Sequence, residues 1–403
     1  MADTSSSSNI PYESYPKLFW RFLKFGLLAW GGPVAQIAMI RQELVDEEKW
    51  ITSERFNRVL AVYQVLPGPE AHELCVYFGL LSRGRPGAFL AGLAFMLPGF
   101  LLMFALSWFY VSYGIHSPLF QAAFLGMQPA VAALIVRAVH RIGGHALHTN
   151  PWLWGIALMA GYAQLVGSNF LVTLLIAGAI YAFIQRGKNQ WALGIGLIFS
   201  TWLILTATGL IPTLPTQTIT APSTSSNESV SPIDLLLSGL RAGLLTFGGA
   251  YTAIPFLQHD AVQIGGWLTN GQFLDGLALS GLLPAPLIIF STFIGYLGGG
   301  PLGAIAITLG IFAPAFAFTM IGHEYVERLV ENTAVHAFLD GVTAGVVGLI
   351  AATALGILSE TIMGIHAWVI FALALLVLFQ SKAKWAIAAI ILGAGAYGLI
   401  FLR

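Results

Sequence analysis

The chain repeats itself. Positions 26–69 align with 243–286 at a constant offset of 217, without a gap, and 15 of the 44 pairs are identical. Gly31 and Gly32 fall on Gly248 and Gly249, Trp50 on Trp267, Thr52 on Thr269, Phe56 on Phe273, and Pro67 and Pro69 on Pro284 and Pro286. After a slip of one residue Pro98 meets Pro314 and Tyr181 meets Tyr397. Bias toward Gly and Leu scatters matches; it does not align Trp, Pro and Thr in order. Whatever fold the chain adopts must therefore be built twice.

The repeated unit is a series of apolar blocks of roughly 17 to 25 residues, each sufficient to cross a hydrocarbon core of about 30 Å. Of all residues 57% are hydrophobic and only 9% charged, against about a quarter charged in a soluble domain. These blocks predict an all-α polytopic membrane protein and exclude a β-barrel. Equal numbers of acidic and basic residues leave no basic footprint for nucleic acid. Cys75, the single cysteine, has no disulfide partner. Residues 1–18 are expected to be a disordered tail without a cleavable signal, 19–185 the first repeat, 186–232 a connector helix and an external Pro/Thr/Ser-rich linker, and 233–403 the second repeat.

Two blocks in each repeat are interrupted near their middle, by Gly31-Gly32-Pro33 and Pro67-Gly68-Pro69 in the first. Helices do not run unbroken through such sequences. Each half-block of about ten residues rises about 15 Å, to the bilayer midplane. Thirteen spans, four of them broken, compete with nine full spans and four re-entrant hairpins. The second arrangement puts 16 of the 18 Lys and Arg on one side, leaving out only Arg241 and Arg403, as the positive-inside rule favours with a cytoplasmic amino terminus. In either case an odd number of crossings separates the repeats, so their topologies are inverted, an arrangement common in secondary transporters.

Irregular backbone at membrane depth survives only where protein or a water-filled cavity satisfies it. The four breaks are therefore expected to line a site. Glycines Gly31, Gly32, Gly68, Gly248 and Gly249 admit an anion close to the backbone, and helix starts after Pro33, Pro69 and Pro286 turn free N–H groups toward it. Pro67, Pro284 and Ala285 complete the tips. Lys24 and Arg241, at equivalent positions, are candidates to neutralise the anion. Glu70, His72 and Glu73 follow the second break, where the other repeat carries Leu287, Ile289 and Phe290. Carboxylates and an imidazole at membrane depth are the groups of proton relays. They could equally serve an intramembrane acid–base enzyme. His140, His145 and His148 read as interfacial rather than as a metal site, for want of a carboxylate or thiolate partner. No metal or cofactor is expected.

The strings FGLLAWGGP, LPGPEAHEL, LAGLAFMLPGF and LLTFGGAYTAIPFL closely resemble the chromate ion transporter family in its long form, two fused homologous halves, over residues 18 to 402. The resemblance implies a multi-pass protein of a bacterial-type inner membrane that exports chromate and confers resistance, with sulfate or another tetrahedral oxyanion as the alternative substrate and an anion channel as the alternative mechanism. Membrane lipid is the expected surrounding, and a homodimer is compatible with it. Two departures, Ala285 where Gly68 sits and Ala250 opposite Pro33, imply that the halves divide labour.

Overall fold

The computed structural model describes residues 10–402 apart from 211–228, 248, 331, 382 and 384. The described residues are helical: α1 (Tyr15–Leu27), α2 (Gly32–Arg41), α3 (Ser53–Val65), α4 (Glu70–Phe109), α5 (Pro118–Ala146), α6 (Pro151–Leu165), α7 (Phe170–Gln185) and α8 (Asn189–Ala207), then α9 (Pro232–Leu244), α10 (Ile254–Gln258), α11 (Asn270–Gly281), α12 (Phe290–Val330), α13 (Thr333–Thr361), α14 (Ile365–Gln380) and α15 (Ala386–Phe401). Most of the expected linker lies outside the described residues. Helix α1 begins inside the tail expected at 1–18, because Glu13 packs against Ser82 and Leu18 is wholly buried.

Among the described residues five stretches are long and apolar enough to cross a bilayer: Glu70–Gly114, Pro118–Ala146, Asn189–Ala207, Leu287–Ile321 and Thr333–Thr361. Helices α7, α14 and α15 are apolar but shorter. The protein is a multi-pass membrane protein. Bilayer lipid offers helices no hydrophobic incentive to associate, so they pack through small residues. A Cβ added to Gly341, Gly348 or Gly398 would stand 2.5, 2.0 or 2.1 Å from a carbonyl oxygen of Ala177, Ala157 or Ala122 on a neighbouring helix.

The broken segments double back. Arg21 on α1 holds Glu13 at 2.8 Å, Glu43 at 3.0 Å and Glu48 at 2.7 Å, so the chain that leaves α2 lies again beside α1. Trp50, ahead of α3, packs edge-on against Phe78 at 6.0 Å, and Arg55 donates to the Tyr77 hydroxyl at 3.1 Å, which ties the base of α3 to the first arm of α4. In the second copy the Ser238 hydroxyl on α9 donates to Asp260 at 2.7 Å, and the Val230 amide donates to the Gly298 carbonyl at 2.8 Å. These contacts describe hairpins that return to the end they left.

Both copies also turn the same corner. Helix α4 breaks at Arg83 (φ −140°, ψ 21°) and Gly84 (φ 63°, ψ −157°), and α12 at Gly299 (φ −145°, ψ 23°) and Gly300 (φ 61°, ψ −154°). The left-handed second residue has to be glycine in practice. The two arms then cross at bare backbone: a Cβ on Gly79 would lie 2.4 Å from the Gly87 carbonyl oxygen, and one on Gly295 2.4 Å from that of Gly303. Helices α4 and α12 pack together, Phe89 on Phe316 and Phe104 on Tyr296.

Candidate functional site

Where the copies meet, tip touches tip. The Gly68 amide donates to the Thr246 carbonyl at 2.9 Å, and Pro67 forms an antiparallel bridge with Phe247. This junction satisfies backbone groups that both breaks leave without helical partners. The first residue of α4, Glu70, follows directly.

A cavity of about 720 Å³ runs to this junction from one end of the bundle. Pro33 and Val34 at the start of α2, Gln64 of α3, Glu70, and Gly249 and Tyr251 of the second copy line its inner part. Arg141 and His145 near the end of α5, His148, Tyr181 of α7, and His336 and Asp340 of α13 line its approach. The ends of α5 and α7 and the start of α13 lie at one end of the bundle, so the approach opens there. A Cβ on Gly249 (φ 115°) would stand 3.9 Å from a Glu70 carboxylate oxygen.

The residues singled out in the sequence separate into groups. Pro33, Glu70 and Gly249 share the cavity; Gly31 (φ 93°) and Gly32 (φ 77°) form the bend ahead of Pro33. Pro67, Gly68 and Pro69 are buried in the junction behind it. Gly248 lies outside the described residues. Pro284, Ala285 and Pro286 are not brought to the cavity: Ala285 packs on α4, where a Cβ added to Gly99 would lie 2.5 Å from its own. Lys24 and Arg241 are likewise elsewhere. Each is engaged by its own hairpin, Lys24 with Glu43 at 3.2 Å and Arg241 with Asp260. Acidic residues on the returning arms answer these cations, which leaves them no free charge to offer the cavity.

Glu73 and His72 lie behind Glu70 and are fully buried. His72 is held between the rings of Phe312 (4.9 Å) and Phe316 (4.7 Å) of the other copy. Neither Glu73 oxygen has a hydrogen-bond partner among the described residues, an arrangement too costly to keep for packing alone. A Cβ on Gly68 would come within 2.9 Å of Glu73. The equivalent of Glu73 in the second copy is Phe290, and there Ala285 is tolerated where Gly68 is required. The departure from symmetry is thus a paired one.

The family model for chromate transporters matches residues 16–215 and 233–399. The chain belongs to the chromate transporter family. It is 53% identical to the chromate transport protein of Pseudomonas aeruginosa over 99% of this chain and 95% of that one. To the probable chromate transport protein of Synechococcus elongatus it is 30% identical, over 100% of this chain and 99% of the relative, and to the chromate transport protein of Cupriavidus metallidurans 29%, over 99% and 96%. No solved structure matches. Members of the chromate transporter family are transport proteins, so the acid–base enzyme suggested by Glu70, His72 and Glu73 is set aside.

The sequence pointed to tips and missed walls. Arg141, Tyr181, His336 and Asp340 line the cavity, yet each lies in a helix with no break to mark it. His145 and His148 stood out as a cluster, but only the packing of α5 against α13 turns them toward Glu70.

Proposed function

We propose that this protein exports chromate across a bacterial-type inner membrane by alternating access, as a secondary active transporter that confers chromate resistance. The observation that carries this is one cavity that reaches the hydrogen-bonded junction of two glycine- and proline-broken tips and brings Glu70 of one copy against Gly249 of the other. Broken helices meeting at such a junction are where secondary transporters bind their cargo. In this reading the repeats are inverted, the amino terminus is cytoplasmic, and the cavity is the inward-facing mouth. The far end is held shut by Tyr110 and Gln128, which donate to buried Asp275 at 2.7 and 3.0 Å.

Glu70 is the coupling group, and Glu73 behind it extends a proton path. Sulfate is a competitor, because a tetrahedral dianion of similar size meets the same donors. Proteoliposomes containing the protein and supplied with labelled chromate or sulfate, under imposed pH and voltage gradients, test the assignment. Accumulation of chromate against its gradient is the expected result. Flux that only dissipates a gradient indicates a channel, and movement of neither anion removes the substrate assignment.

A further inference from the structure

The approach to the cavity carries the guanidinium of Arg141 and the hydroxyl of Tyr181. Arg141 sits in the last turns of α5, an end where helix dipoles favour positive charge, and it has no ion pair among the described residues. It lines the same cavity as Glu70. The nitrogen Nδ1 of His145 lies 2.8 Å from the Arg141 carbonyl, so this nitrogen carries the proton and Nε2 is an acceptor with no proton to offer an anion. Tyr181 accepts hydrogen bonds from Asn150 at 3.0 Å and Gln185 at 2.7 Å, which leaves its own O–H proton to be donated elsewhere. His148 has a left-handed backbone (φ 45°), and the Trp154 indole donates to its carbonyl at 3.2 Å. Asp340 lies 3.1 Å from His336 Nδ1, and among the described residues no ion pair joins it to Arg141.

We propose that Arg141, with the Tyr181 hydroxyl, is the oxyanion-binding site, and that Glu70 is the counter-charge of Arg141 when the site is empty. The inference rests on the transport function proposed above. A dianion entering the cavity takes over the guanidinium, whose planar fork suits two oxygens of a tetrahedral ion. Glu70 is then an uncompensated carboxylate facing a dianion, and it takes up a hydrated proton from the bulk solution, which is left one proton poorer. No other bond is made or broken. Anion binding and proton binding therefore promote each other, as linkage requires. Proton and anion travel in the same direction, and each cycle moves one negative charge. The remaining titratable groups around Glu70 are His145 and His148 beside α5, Tyr181 on α7, Tyr251 at the second-copy tip, His336 and Asp340 on α13, and His72 and Glu73 on its own helix.

The test is equilibrium dialysis of labelled sulfate and labelled chromate with the full-length protein in detergent, with proton uptake read by a pH indicator in unbuffered solution. Sulfate takes up no proton itself near neutral pH, so its arm gives the proton count directly. The wild-type protein should take up about one proton per anion above the titration of Glu70. Arg141→Gln should weaken binding by about ten- to a hundredfold, the worth of a charged hydrogen-bonding partner, and Arg141→Lys should retain part of it. Glu70→Gln should bind with an affinity independent of pH and take up no proton. Arg141→Gln binding as tightly as wild type overturns the inference, as does continued proton uptake by Glu70→Gln. If Arg141→Gln fails to fold, an Arg141→Lys protein with unchanged affinity overturns it instead. A wild-type protein that binds neither anion overturns the transport function and this site with it.

Discussion

Lys24 and Arg241 occupy equivalent positions, and each meets a carboxylate at an equivalent position on the returning arm, Glu43 and Asp260. Their surroundings separate them. The Lys24 side chain is 60% exposed, whereas Asp260 is buried and held by Arg241 and Ser238. Lys24→Ala should cost at most about 1 kcal/mol, the worth of a screened pair. Arg241→Ala leaves a buried carboxylate unpaired and should cost about 3–5 kcal/mol. Thermal unfolding of the two variants in detergent checks the difference. Glu13 gives a pH prediction outside the membrane-spanning segments. Burial acts on it most strongly and by itself raises its pKa, but the hydrogen bonds and charges of Arg21 and Lys17 together hold it below its usual value of 4.5. A depressed folded-state pKa stabilises above the unfolded value and is lost as pH falls through the folded one. The stability gap between wild type and Glu13→Gln should therefore be full above pH 4.5 and close under more acidic conditions; a gap that persists there contradicts it.

Hairpins of half-helices depend on close approach at their corners. Gly79 and Gly87, and their counterparts Gly295 and Gly303, bring backbone to backbone where a Cβ would meet a carbonyl at 2.3 to 2.5 Å. Gly79→Ala and Gly295→Ala should each push the arms apart and lower the unfolding temperature. Gly144 in α5 has nothing within 4 Å of an added Cβ. Gly144→Ala should therefore be neutral or stabilise by about 0.5–1 kcal/mol through helix propensity. Equal destabilisation by all three would mean that the corners are not tight. Much of this was readable in advance, since Gly-Pro clusters mark where helices must stop. Whether the chain then crosses or returns was not, because that is decided by which bases are held together, here by Arg21 with three carboxylates and by Trp50 with Phe78.

Two such copies in one chain make the transporter, and their relative orientation is open to a direct test. Asp46 and Gln263 are equivalent and exposed, and Cys75 is buried. Asp46→Cys and Gln263→Cys, each labelled with a membrane-impermeant thiol reagent in sealed vesicles, should react from opposite faces; reaction from the same face would end the inverted arrangement. The duplication, the membrane class, the family and the breaks that become tips are all local patterns of residues, and the sequence alone determined them. It could not assign Lys24 and Arg241, because whether a cation is free depends on which carboxylate the returning arm brings beside it. Nor could it find Arg141 or Tyr181, whose role arises only from the packing of α5, α7 and α13 around Glu70. A cavity is a relation among distant segments, and tertiary structure alone decides which side chains share it.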